Sequence, residues 1–175
     1  MTANRLWRWQ GVDMQGQFCQ GTQWNPGRLE VFQALQHERI IPLAIRRCAV
    51  KNTLWHPRYG SQVVRQLAVL LQAGLSLAEG LELLAQQQPS AQWQALLRTL
   101  AQDLAQGVSL SAALEKWPQA FAPLSLAMIR TGELTGKLDF CCLQLARQQQ
   151  EQQQLAEKVK KAVRYPAVIL GLALM

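Results

Sequence analysis

Between residues 61 and 164, apolar side chains recur every three or four positions, and Gly, Ser and Pro cut this helical period at short intervals. A chain patterned this way buries its apolar stripes by forming short helices that fold back on one another. Ser61 reads as the N-cap of a first helix, with Val64, Leu67, Ala68 and Leu71 on one face and Gly74 as its stop. Ser76 opens a second helix, with Leu77, Leu81 and Leu84 inward and Glu79 at the capping-box position; Pro89-Ser90 ends it. A third passes through Trp93, Leu96, Leu97, Leu100 and Leu104 to Gly107, and Ser109 caps a short fourth over 110–116. The fifth covers 124–130, and the sixth starts near Thr135 and runs on through Cys141, Cys142, Leu145, Leu155, Val159 and Ala162. The expected fold is mainly α, with an antiparallel six-helix bundle at 61–164.

Helices five and six are joined by Thr131-Gly132-Glu133-Leu134-Thr135-Gly136. Two glycines around a lone glutamate read as a helix stop followed by a helix start. Gly132 and Gly136 are expected to set the angle of this joint, with Arg130 placed to pair with Glu133. Glu133 itself is either an acid in a first helical turn, facing the helix dipole, or a contact to a partner. The joint residues Arg130, Gly132, Glu133 and Gly136 are therefore candidates for a structural hinge or a partner contact.

The sixth helix changes character along its length. Residues 147–154, RQQQEQQQ, are polar all round, so this section is expected to project from the bundle. Lys158, Lys160, Lys161 and Arg164 follow, with Glu157 the one acid among them, and then Tyr165-Pro166 leads into nine uncharged residues, 167–175. A bilayer needs roughly twenty apolar residues in a helix. The expectation is a truncated chain whose transmembrane helix starts near Pro166, with Tyr165 as interfacial anchor and the competing reading a buried C-terminal element. The membrane-proximal basic residues would put 1–164 on the cytoplasmic side.

Ahead of the bundle, residues 5–24 alternate apolar and polar side chains around Asp13-Met14-Gln15-Gly16, as two strands and a turn do. Asn25-Pro26-Gly27 is a second turn, 29–37 fits a helix with Leu29, Phe32, Ala34 and Leu35 toward the sheet, and 40–45 reads as a strand. This is a small ββαβ module at 1–47, joined by a linker at 48–60. Trp7 and Trp9 share a strand face beside Arg5 and Arg8, which is either a packing surface or a base-stacking one.

The net charge is +7, and the basic excess lies at the two ends: eight Lys/Arg against three acids in 1–60, four against four in 61–130, and six against four in 131–175. A neutral centre with basic flanks fits a protein against anionic lipid at least as well as one on nucleic acid, and no recognition-helix motif is visible. The four cysteines show no C-x-x-C spacing and read as free thiols. The first residues lack an apolar signal region, so the chain is expected to begin in the cytoplasm. His37 and His56 have no carboxylate or nucleophile spaced for catalysis or metal binding, and read as surface residues. No enzyme is expected, and no cofactor.

Five motifs then stand in order: Q-L-A-x-L-L-x-A-G-L-x-L at 66–77, G-V-S-L-S-x-A-L at 107–114, F-x-P-L at 121–124, M-I-R-T-G-E-L-T-G-K-L at 128–138 and A-V-R-Y-P at 162–166. W-x-G-x-D-x-x-G at 9–16 and L-x-x-x-x-I-I-P-L at 35–43 precede them. Together they resemble the type II secretion F and type IV pilus PilC-type inner-membrane platform proteins, most of all their HofC branch. The resemblance implies a non-enzymatic inner-membrane scaffold, alternating cytoplasmic helical domains with transmembrane helices. It would couple a cytoplasmic assembly ATPase to pilin or pseudopilin and other inner-membrane components, as a homo-oligomer contacting lipid and no nucleic acid. The alternative function is a basic nucleic-acid-binding protein associated with DNA uptake. Some relatives hold a divalent ion through bundle carboxylates; Pro89, Leu143 and Arg147 stand on the corresponding faces here, so no metal site is implied.

Overall fold

The computed structural model describes residues 4–173, without the side chains at 54, 57, 58, 164–170, 172 and 173. The chain begins with β1 (Arg5–Val12), β2 (Phe18–Asn25), α1 (Arg28–His37) and β3 (Ile41–Arg47), the expected ββαβ order. The sheet is antiparallel with order β2-β1-β3. Asp13 shapes the β1–β2 turn by accepting the backbone N–H of Gln15 and Gln17 at 2.8 and 2.9 Å. The outer edge of β3 is blunted by Pro42, by a register shift opposite Gln10/Gly11, and by Arg46 and Arg47.

Strand alternation divides the sheet into two working faces. Trp7 and Trp9 lie opposite Gln23 and Gly21. The Trp9 indole covers Gly21, where a Cβ would sit 2.8 Å from its ring, and the Gln23 amide donates to the Val31 carbonyl of α1 at 3.4 Å. The helix residues turned inward are Val31 and Leu35, both 0% exposed; Leu29 and Phe32, expected toward the sheet, are 64% and 38% exposed. A helix beside so small a sheet buries one narrow stripe, and i, i+4 spacing chooses 31 and 35. The other face presents Leu6 and Trp24, a directly opposed buried pair, to the helical body.

Among the described residues six helices make up that body: α2 (Pro57–Gln72), α3 (Leu77–Gln87), α4 (Ala91–Ala105), α5 (Leu110–Glu115), α6 (Pro123–Thr135) and α7 (Leu138–Ala173). Ser76 and Glu79 form the expected capping box, and Gly74 and Gly107 take positive φ of 92° and 88° at their helix stops. Neighbours in the chain largely pack together, and α2 closes the body by lying against α7. Three boundaries differ from expectation, one being the start of α7 at Leu138 rather than near Thr135. Helix α2 begins at Pro57 rather than after Ser61, since proline is well placed in a first helical turn. Helix α6 continues to Thr135, through Gly132 and Glu133, instead of ending at Arg130.

The sheet and the helices share one core. Trp24, Trp55, Trp93 and Trp117 meet with ring centroids 5.1–6.3 Å apart, and Phe121 meets Trp93 edge-on at 6.0 Å. Trp55 comes from a 3-10 turn, Asn52–Trp55, within the stretch that reads as a linker. Buried Gln92 ties three segments together at the start of α4. Its carbonyl accepts the Trp24 indole N–H at 3.1 Å, and its side chain accepts the Lys51 N–H at 3.1 Å and donates to the Lys51 carbonyl at 3.4 Å. The Thr22 hydroxyl adds a bond to the Ala91 carbonyl at 3.3 Å.

Helix α7 packs through Cys142, Leu145 and Ala146, and the Gln149 amide donates to the Ser125 hydroxyl at 3.1 Å. From Glu151 to Val163 every side chain except half-buried Gln153 is exposed, so the polar section projects as expected. The helix runs unbroken through Tyr165-Pro166 to Ala173, with no new start at Pro166. Proline removes one i→i−4 bond, and the helical turns on either side hold the conformation. Among the described residues no helix is long and apolar enough to cross a membrane. The side chains of Arg164 and of the expected anchor Tyr165 lie outside the described residues, as does Met175.

Trp93→Ala should lower the free energy of unfolding by about 3–5 kcal/mol, as truncating a core aromatic does. Urea melts followed by tryptophan fluorescence and by circular dichroism should shift together, because sheet and helices share this core. A loss below about 1 kcal/mol, or two separate transitions, would contradict the shared core.

Candidate functional site

The chemistry-bearing residues of the joint converge on α5, a helix of six residues that is too short to persist alone. Ser109 caps it by accepting the Ala112 N–H at 3.3 Å. The third helical position is Ala112, so the reciprocal acid of a capping box is missing and the first two N–H groups need another acceptor. Glu133, reaching across from α6, is that acceptor. Its carboxylate takes the Leu110 N–H at 2.5 Å, the Ser111 N–H at 3.3 and 3.4 Å, and the Ser111 hydroxyl at 2.6 Å. Two side chains, Ser109 and Glu133, thus satisfy the N–H groups of 110–112, and an anion sits on the positive end of the helix.

The opposite end of α5 is held by charge pairs. Arg130 of α6 pairs with Glu115, and Lys116 pairs with Asp103 of α4 at 2.8 Å. Arg130 therefore does not pair with Glu133, whose carboxylate is already taken by three donors on α5. These are exposed pairs, worth up to about 1 kcal/mol each; they orient α5 more than they stabilise it.

Gly132 is a contact rather than a stop. A Cβ there would lie 2.9 Å from the Cys141 Cβ and 3.0 Å from the Leu138 Cα, so only glycine lets α6 and α7 approach this closely. Gly136 ends α6 at φ 68°, and the N–H of Lys137 bonds the Gly132 carbonyl at 3.0 Å, completing a Schellman-type cap. Just two residues, Gly136 and Lys137, separate α6 from α7. The contacts Gly132–Cys141 and Ser125–Gln149 make the two helices antiparallel.

Behind the joint lies Cys142, whose thiol is pushed up to about 12, chiefly by burial and then by the neighbouring Cys141, Asp139 and Glu133. It is a packing residue and no nucleophile at neutral pH. All four cysteines are free. No group of three or more His, Cys, Asp and Glu gathers among the described residues. Trp7 and Trp9 are half-buried in the N-terminal module and Trp24 is buried. Of the basic residues ahead of Arg164, Lys158, Lys160 and Lys161 are exposed on the projecting part of α7, far along the helix from the joint.

Residues 63–175 match the family model described as type II secretion system protein F. The chain belongs to the type II secretion system protein F family. It is 51% identical, over its whole length, to the protein transport protein HofC homolog of Escherichia coli, of which it covers 44%. It is 33% identical over 95% of its length to the type 4 fimbrial assembly protein PilC of Pseudomonas putida, covering 42% of that protein. Over 94% of its length it is 26% identical to the type II secretion system protein F of Vibrio cholerae, covering 43%. The chain thus spans less than half the length of these relatives. The DNA-binding alternative finds no support among them.

Glu133→Ala should destabilise the fold by about 1–3 kcal/mol, since it leaves two N–H groups of α5 without their acceptor. A double-mutant cycle with Ser111→Ala, measured by chemical denaturation, should show coupling of more than about 0.5 kcal/mol; additive losses would remove Glu133 from the α5 cap. Stability should also fall as pH rises from the thiol's ordinary value of 9.0 toward about 12, because the folded state holds Cys142 protonated where the unfolded chain releases the proton. Cys142→Ala should flatten that part of the pH profile.

Proposed function

We propose that this chain is the cytoplasmic portion of an inner-membrane platform for type IV pilus or type II secretion assembly, a scaffold without enzymatic activity. In this reading the helices form an antiparallel bundle whose last member carries on into a transmembrane helix. The bundle meets the cytoplasmic assembly ATPase, and the membrane part meets pilin or pseudopilin and other inner-membrane components, with the platform acting as a homo-oligomer. The supporting observation is family membership over residues 63–175, among relatives whose names describe protein transport, fimbrial assembly and secretion.

The geometry suits such a role because it joins a packed body to a long projecting helix through a defined angle. Gly132 fixes the separation of α6 and α7, Gly136 reverses the chain, and Glu133 binds α6 to α5. A displacement applied to the body at α4–α6 would be passed to α7 rather than absorbed in a loose loop. Arg130, Gly132, Glu133 and Gly136 are in this view a load-transmitting joint, with Arg130 exposed enough to contact the ATPase as well.

The test is to tag the full-length protein that contains this chain, cross-link intact cells and isolate it from detergent-solubilised inner membranes. The assembly ATPase and pilin should co-purify, and Gly132→Val should abolish pilus assembly or secretion while the protein stays membrane-bound. Recovery from the soluble fraction, without either partner, would contradict the proposal.

A further inference from the structure

Past the polar section at 147–154, α7 carries a second apolar stripe. It consists of Leu155, Val159 and Val163 at i, i+4 and i+8, exposed by 61%, 60% and 64%. At roughly 100° per residue these three, with Ala156 and Ala162, occupy about one third of the helix circumference. Lys158 and Lys160 fall on its two borders and Lys161 on the polar side; Glu157 is the single acid between 155 and 163. Nothing among the described residues covers this stripe.

Charge decides what fits it. A second copy of the same helix would bring lysine borders against lysine borders, which is repulsive. A bilayer surface offers acyl chains to the stripe and phosphates to both borders at once, with lysine stems lying over the apolar edge and their ammonium groups reaching outward. We propose that residues 155–163 of α7 contact an anionic phospholipid surface through this stripe and its lysine borders. Leu155, Val159 and Val163 enter the headgroup–acyl boundary, and Lys158, Lys160 and Lys161 hold lipid phosphates. The proposal rests on the membrane placement above and adds the lipid chemistry of the contact, ahead of any segment that crosses the bilayer.

The purified 175-residue chain is mixed with sucrose-loaded vesicles, either phosphatidylcholine alone or phosphatidylcholine with phosphatidylglycerol as the minor lipid, and sedimented at about 0.1 M salt. It should partition onto the phosphatidylglycerol vesicles, and the triple variant K158E/K160E/K161E should bind them about a hundredfold more weakly, at roughly fivefold per lysine. Val159→Glu should weaken binding as well, and circular dichroism should show both variants folded. Equal partition onto both vesicle types, kept by the triple variant, would overturn the lysine–phosphate contact and leave the membrane placement standing. Partition onto neither would overturn both. A dimer in analytical ultracentrifugation that Val159→Glu dissolves, without vesicle binding, would give the stripe to a second copy and overturn the lipid assignment.

Discussion

The carboxylate of Glu133 on the N-terminus of α5 is the interaction on which the helical body depends. A six-residue helix does not hold itself, and Ser109 satisfies just one of its leading N–H groups. Glu133 supplies the rest from a helix more than twenty residues later in the chain, and so fixes α5 to α6. On the same helix, one residue earlier, Gly132 lets α7 approach until Cβ and Cα atoms would touch. Neighbouring residues of one helix thus fasten α6 to α5 and to α7, and the direction of the projecting helix follows from both.

The second constraint lies at the other end of the body. A module of about fifty residues buries too little surface to be secure alone. Here it is secured by the tryptophan cluster and by Gln92, whose backbone and side chain bind Trp24 and Lys51. The buried amide bonds through both its oxygen and its nitrogen, and a paired buried polar group of this kind specifies one docking geometry. The sheet is therefore held in a fixed orientation on α4.

What the sequence made legible was local. The Ser76–Glu79 box, the stops at Gly74 and Gly107, the ββαβ order and the polar projecting section all follow from residues within one turn of each other. What it hid was long-range. Glycine in a helix resembles glycine after a helix, so Gly132 read as a stop; only the closeness of Cys141 separates the two cases. Glu133 and Arg130 looked like each other's partners because they are near in sequence, while their true partners lie on α5. One signal did point outward: Ser109 lacks an acid at 112, so α5 needed an acceptor from elsewhere. Trp55 and Trp117 carried no period of their own, and their part in the core appears only when four segments are brought together.

In the platform role proposed above, such a joint would hand motion from one component to another without losing it in slack. The most direct measurement is amide hydrogen exchange at Leu110 and Ser111 in the native protein. These two amides should exchange slowly in the wild-type chain and much faster in Glu133→Gln, with the exchange of α3 and α4 unchanged. Equal protection of Leu110 and Ser111 in both proteins would show that α5 is held without Glu133, and the account of the joint would fall.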